Sequence, residues 1–339
     1  MRSLIVLAFA LGIVQQAKAD APRVATDILP VQALVARVME GVGTPDLILP
    51  PTASPHGYAL RPSEARSLAQ AQLVVWIGPA LTPWLAEPVE TLSPGARHLA
   101  LMEVEGSIVM PYREGAAFAA HDHDHGHDDE HGHDDEHGHD DEHAQDDDHA
   151  HDAEKAHDDD HGAEHAGDAL DPHVWLDPRN GAVWMEVIAA ELAALDPAHA
   201  DIYRSNAAAG KAELAALEDE VKSLLEPVKS RSFIVFHDAF HYFEARFGVE
   251  ATAAISAGDA AKPGAARIAE LRAHIAETGA VCAFAEPQFN ADLLDTVTEG
   301  HAVKPGVLDP MGAAQTMGGQ HYAATLRGIA VAMADCLTP

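Results

Sequence analysis

Positive charge is scarce in this chain of 339 residues, with 21 Lys plus Arg against 54 Asp plus Glu and a net charge of −33. Phosphate polymers and anionic lipid surfaces need a basic footprint, so this balance excludes them as partners and points to cations. Cysteine is nearly absent, and neither Cys282 nor Cys336 sits in a setting that would make it a nucleophile. Apolar runs long enough to span a bilayer are missing too. The longest candidate, Leu4 to Val14, covers 11 residues, against the roughly 20 that a spanning helix needs. It follows Met1-Arg2 and precedes Ala17-Lys18-Ala19. That is the pattern of an export signal over residues 1–19, with a mature chain starting at Asp20 and no membrane insertion after cleavage. Export would put the two Cys in an oxidising space, where pairing is the default; two separate buried thiols are the alternative.

What the chain does have is histidine, and most of it in one place. From His121 to Asp168 the composition collapses to His, Asp, Glu, Gly and Ala, and the hexapeptide HGHDDE repeats three times. The tract holds 14 of the 23 His, with 21 acidic residues against the single Lys155. It therefore carries −20 of the −33, so the charge is a local property. With no apolar periodicity it has nothing to bury, and it is expected to be disordered without a ligand. Imidazole and carboxylate together suit Zn²⁺, Cu²⁺ and Ni²⁺, bound weakly and at several places. A merely solvated linker is the blander reading.

The chain as a whole is 47% hydrophobic, and its length supports about two domains. Apolar runs at Arg23–Thr26, Leu47–Leu49 and Leu73–Ile77, separated by a helical pattern over Ile28–Met39, predict a parallel sheet. Ala182–Leu195 reads as a helix. Ala198–Leu225 reads as a second, long one of about 28 residues, near 42 Å, closed by Pro227. The strand grammar then returns at Phe233–Phe236, Ala251–Ile255, Ala280–Ala285 and Val307–Leu308, with helices over Arg267–Thr278 and Tyr322–Cys336. The expected fold is α/β, with two lobes that each carry a mostly parallel sheet flanked by helices, joined by one long rigid helix. The boundaries are residues 20–196 for the first lobe including the 121–168 loop, 197–227 for the linking helix and 228–339 for the second lobe.

His56, His237, Glu286 and Asp309 all follow apolar runs, where open parallel sheets bind ligands. Three segments set a His in unusual company: SPHGY around His56, DPHVWLDP around His173 and FHDAFHYF around His237. Together with LRPS, the acidic His-rich insert, FAEPQF and LDPMG, these segments resemble the ZnuA-type zinc-binding proteins, the periplasmic solute-binding components of zinc ABC importers. The resemblance runs over essentially the whole mature chain. It implies that His56, His173 and His237 ligate the metal and that Cys282 pairs with Cys336. It further implies a periplasmic monomer that hands zinc to a membrane permease.

The donor chemistry agrees. Three neutral imidazoles plus one oxygen make a tetrahedral Zn²⁺ shell, whereas Mn²⁺ would want more carboxylate. The resemblance implies Asp309, in LDPMG, as the fourth ligand. Water or a His of the tract is the alternative, and Glu286 is a reserve carboxylate that could instead hydrogen-bond a ligand imidazole. A Glu beside the first His is ruled out, because Pro55 stands there. The leading function is zinc capture for uptake, with no reaction performed. Two rivals stand beside it. One is an exported zinc hydrolase using His237 and His241 at i, i+4, with Asp238 in place of the usual general-base Glu. The other is a manganese or iron receptor of the same family.

Overall fold

Short runs that are apolar throughout have no polar face to leave in water, so they belong in sheets covered on both sides. The computed structural model describes residues 20–113, 170–256 and 263–339 and contains two such sheets. The expected export signal (residues 1–19) and the acidic His tract (121–168) lie outside the described residues.

The first sheet holds β1 (Val24–Thr26), β2 (Asp46–Leu47), β3 (Leu73–Trp76) and β4 (Arg97–Ala100), all parallel, in the order β2-β1-β3-β4. The second holds β5 (Phe233–His237), β6 (Ala253–Ser256), β7 (Cys282–Ala285) and β8 (Lys304–Val307), again parallel, in the order β6-β5-β7-β8. Both sheets therefore reverse direction at the same place, between their first and third strands. The crevice beyond the strand ends at such a reversal is where open α/β sheets hold ligands.

Helices cover the faces. In the first half these are α1 (Leu29–Val38), α2 (Pro62–Gln70), α3 (Pro83–Leu92) and α4 (Pro178–Leu195). Each carries Pro at its start, where the missing N–H costs nothing. Asp177 caps α4 by accepting the Arg179 N–H. The long helix, α5, runs over Ala200–Leu225 with a 3-10 turn at each end. Its 26 residues span about 39 Å. Buried positions at Tyr203, Ala207, Gly210, Leu214, Leu217, Val221 and Leu225 form one stripe along it. That stripe packs on α4, α1 and the last helix, so α5 is a wall of the core as well as a strut. The second half adds α6 (His241–Phe247), α7 (Ala265–Thr278), α8 (Asp292–Thr298) and α9 (His321–Leu337). One continuous apolar cluster takes residues from both sheets together with α1, α4, α5 and α9. The Cys282–Cys336 disulfide fastens α9 to the start of β7. Among the described residues, no helix is long and apolar enough to cross a membrane.

β4 has no counterpart among the expected runs, and β2 and β8 differ most from theirs. β2 is only Asp46–Leu47; Ile48 and Leu49 continue past it, where their N–H groups reach the carbonyls of Thr26 and Asp27. β8 lies earlier than Val307–Leu308, over Lys304-Pro305-Gly306-Val307, an edge strand with little apolar signal. Gly306 is required there because a Cβ would stand 2.5 Å from the Phe284 ring.

Candidate metal centre

His237 is the last residue of β5, and Glu286 is the first after β7, its parallel neighbour. The pairing sets the two side by side at the reversal of the second sheet. His237 Nδ1 donates to Glu286 Oε1 at 2.5 Å. His173 ends the approach to α4 and is held the same way. Asp171 Oδ1 accepts from the His173 ring Nδ1 at 2.7 Å and from its backbone N–H at 3.0 Å. Both pairs are buried, with His173 at 3%, His237 at 4%, Asp171 at 1% and Glu286 at 3% exposure. Burial pushes the Asp171 carboxyl up to about 6.

His56 arrives on the irregular loop between β2 and α2 and is only half-buried. Trp84, near the start of α3, fixes that loop. Its indole N–H donates to the Pro55 carbonyl at 2.7 Å, and its ring meets Tyr58 edge-on at 5.3 Å. The Tyr58 hydroxyl donates in turn to Glu64 at 2.8 Å. Arg61 lies over the Tyr58 ring and donates its backbone N–H to Glu64.

The three far nitrogens converge. His173 Nε2 lies 3.2 Å from His56 Nε2 and 3.3 Å from His237 Nε2. A tetrahedral ion with metal–nitrogen bonds of about 2.0–2.1 Å separates its ligand atoms by about 3.3 Å. Where His173 and His237 donate Nδ1–H to their carboxylates, the Nε2 lone pairs of the two rings turn toward each other. Two lone pairs at this separation repel, and a shared cation removes the repulsion. The donor set is neutral, and the buried carboxylates of Asp171 and Glu286 supply two negative charges that balance a dication. Trp175, Phe289, Pro310 and Met311 wall the space around the rings.

Among the described residues, His56, His173 and His237 are the group of His, Cys, Asp or Glu whose donor atoms lie together, all within 4.8 Å. Asp309 is not brought into that group. Its two oxygens accept the N–H groups of Met311 at 3.2 Å and Ala314 at 3.3 Å, so the carboxylate caps its own turn while the next two residues line the site. Glu286 instead hydrogen-bonds the His237 ring. His241 stands outside the trio, with Nδ1 3.8 Å from Asp171 Oδ2. The protease-like reading of His237 and His241 also loses its geometry. The first closes a strand and the second begins a helix, so no helix face carries both, and Asp238 is held by Arg113. Asp171 is the contributor that a reading by motif passes over. Its position two residues before His173, close enough to reach back to that ring, was the available signal.

Comparison with known proteins bears on the family and the fold. The family model described as ZnuA, zinc-uptake complex component A periplasmic, matches residues 24–336. The high-affinity zinc uptake system protein ZnuA of Paracoccus denitrificans is 48% identical over 337 residues, covering 99% of this chain and 98% of that protein. The protein of the same name from Brucella suis is 43% identical over 315 residues, 93% of this chain and 91% of that one. A crystal structure of ZnuA superposes with a TM-score of 0.71 at 21% identity, covering 94% of this chain and all of that one. The periplasmic zinc binding protein TroA from Treponema pallidum gives 0.69 at 20% identity, over 94% of this chain and 100% of that one. The near-full-length match to the family model, and to relatives of this identity, places the chain in the ZnuA family of periplasmic zinc-uptake components.

Proposed function

We propose that the protein captures Zn²⁺ in the periplasm and delivers it, unreacted, to the membrane permease of an ABC-type importer. One observation carries this reading: three imidazole nitrogens lie within 4.8 Å of one another, with His173 at 3.2 and 3.3 Å from the other two, and two of the rings rest their other nitrogen on a buried carboxylate. In this reading His56, His173 and His237 bind the ion. Asp309 completes the shell by leaving the amides of Met311 and Ala314, and water takes that corner if the carboxylate stays on its turn. An imidazole-rich shell favours Zn²⁺ over Mn²⁺, which prefers oxygen. A shell closed by four donors has no open position for a reacting group, which suits a receptor and not a catalyst. The chain acts as a monomer, exported by residues 1–19 and divided into lobes at 20–196 and 228–339 around 197–227. The His tract serves as a weaker, faster pool of ions beside the tight site. Relatives named for high-affinity zinc uptake support the cargo and the uptake role.

The test is a chelator-competition titration of the wild type, of His56→Ala, His173→Ala and His237→Ala, and of a variant lacking residues 121–168. Each His variant should lose the tight site, and the deletion should lose only weaker ions. Loss of the tight site on tract deletion would overturn the ligand assignment. Retention of that site in Asp309→Ala would assign the fourth corner to water.

A further inference from the structure

Arg113 and Leu170 bound the described chain on either side of the insert, and their segments are pinned together. Pro111 and Leu170 form an isolated antiparallel bridge, and the Asp171 N–H donates to the Met110 carbonyl at 2.9 Å. Both sides of this stem rest on α6. The Tyr242 hydroxyl accepts from the Met110 N–H at 2.7 Å and donates to the Asp171 carbonyl at 2.8 Å. The stem therefore leads directly into Asp171-Pro172-His173, the segment that carries one of the proposed ligands.

Arg113 extends from this stem into the second lobe. Its Nε donates to Asp238 Oδ1 and Oδ2 at 3.0 and 3.1 Å, its Nη2 also bonds Asp238, and its Nη1 donates to Glu244 Oε2 at 2.6 Å. The Arg113, Asp238 and Glu244 side chains are 11%, 10% and 2% exposed. Asp238 directly follows His237, and the turn between them is tight, with the Ala239 N–H on the His237 carbonyl at 2.9 Å. One guanidinium thus links the stem that leads to His173 with the residue bonded to His237.

We propose that Arg113 is a positioning residue of the metal site, which sets His237 against His173 by gripping Asp238. The proposal deepens the zinc-receptor reading and rests on it. Without Arg113, Asp238 and Glu244 are two buried carboxylates with their shared counter-charge gone, and their repulsion acts on the turn that carries His237. Lys in its place would keep the charge but lose the fork that serves both carboxylates at once. The fold supplies an internal control. Arg246 of α6 makes a similar fork to Asp177, at 3.0 and 3.1 Å from its Nε, and Asp177 adjoins no ligand.

The experiment compares the full-length wild type with Arg113→Ala, Arg113→Lys and Arg246→Ala, using substoichiometric Co²⁺ for the visible spectrum and Zn²⁺ competition for affinity. Arg113→Ala should weaken zinc by about 10-fold or more and should shift or weaken the tetrahedral cobalt bands, with Arg113→Lys in between. Arg246→Ala should lower Tm yet keep the wild-type spectrum and affinity. A wild-type spectrum and affinity in Arg113→Ala, or an equal loss in Arg246→Ala, would overturn the proposal. If Arg113→Ala does not fold, Arg113→Lys decides by the same criteria. Failure of the underlying reading looks different: the wild type itself would then lack a tetrahedral cobalt spectrum that His237→Ala abolishes.

Discussion

Replacing Glu286 by Gln separates charge from shape at the proposed site. Gln can still accept the His237 Nδ1 proton, so the ring keeps its orientation, but one of the two buried negative charges is gone. The carboxylate stands about 6.5 Å from an ion bonded to the far ring nitrogen. At an effective dielectric near 20, a unit charge and a dication at that distance attract by about 5 kcal/mol, which is the ceiling on the effect. The Gln dipole and the lower cost of burying a neutral group reduce it. Removing the partner of a metal-bound imidazole costs about 10- to 100-fold in affinity, or about 1.4–2.7 kcal/mol. The expected result is a zinc affinity lower by that factor, measured by chelator competition in a chain lacking residues 121–168. The metal-free variant should be as stable as the wild type or more so, because a buried charge without its ion has been removed. The Tm gain on adding zinc should shrink accordingly. An affinity within about 3-fold of wild type would refute the idea that this carboxylate balances the ion.

Other perturbations test the frame around the site. Trp84→Phe removes the N–H bond to the Pro55 carbonyl but keeps an aromatic ring; a hydrogen bond of ordinary net worth predicts zinc about 2- to 10-fold weaker, read by the same competition. Burial pushes the Asp27 carboxyl up to about 7, against the N–H groups of Ile77 and Ile28 that favour its charge. The folded state then keeps a proton that the unfolded chain has already released, so stability falls as pH rises from about 4 to 7, by at most about 4 kcal/mol. Asp27→Asn should flatten that slope in urea unfolding series, and an unchanged slope would show that Asp27 does not cause it. Replacing Cys282 and Cys336 together by Ser opens a loop with a sequence separation of 54. Chain entropy sets the loss at up to about 4 kcal/mol, measurable as a lower urea midpoint, and no loss would mean that the unfolded chain gains little freedom.

The parallel strands were legible because a strand buried on both faces is apolar throughout, as Leu73–Trp76 and Phe233–Phe236 are. Placing candidate ligands at strand exits then needed only the strand ends. β8 was harder to read: an edge strand built from Lys304, Pro305 and Gly306 owes its place to its partner β7, not to its own hydrophobicity. Asp309 shows a different limit. A sequence displays a carboxylate after a strand but not that Met311 and Ala314 turn their amides toward it. The roles of Asp171 and Arg113 were hidden for opposite reasons. Asp171 acts on a ring two residues away and was overshadowed by the more conspicuous His173. Arg113 acts on Asp238, 125 residues along the chain, and no local pattern announces such a partner.

The central claim is that three imidazoles share one ion. X-ray absorption at the zinc edge tests it most directly, on the chain lacking residues 121–168 loaded with one equivalent of Zn²⁺. The account predicts a four-coordinate ion with three nitrogen ligands at about 2.0–2.1 Å and the outer-shell scattering of three imidazole rings, falling to two rings in His237→Ala. A six-coordinate shell dominated by oxygen, or a ring count unchanged by that substitution, would contradict it.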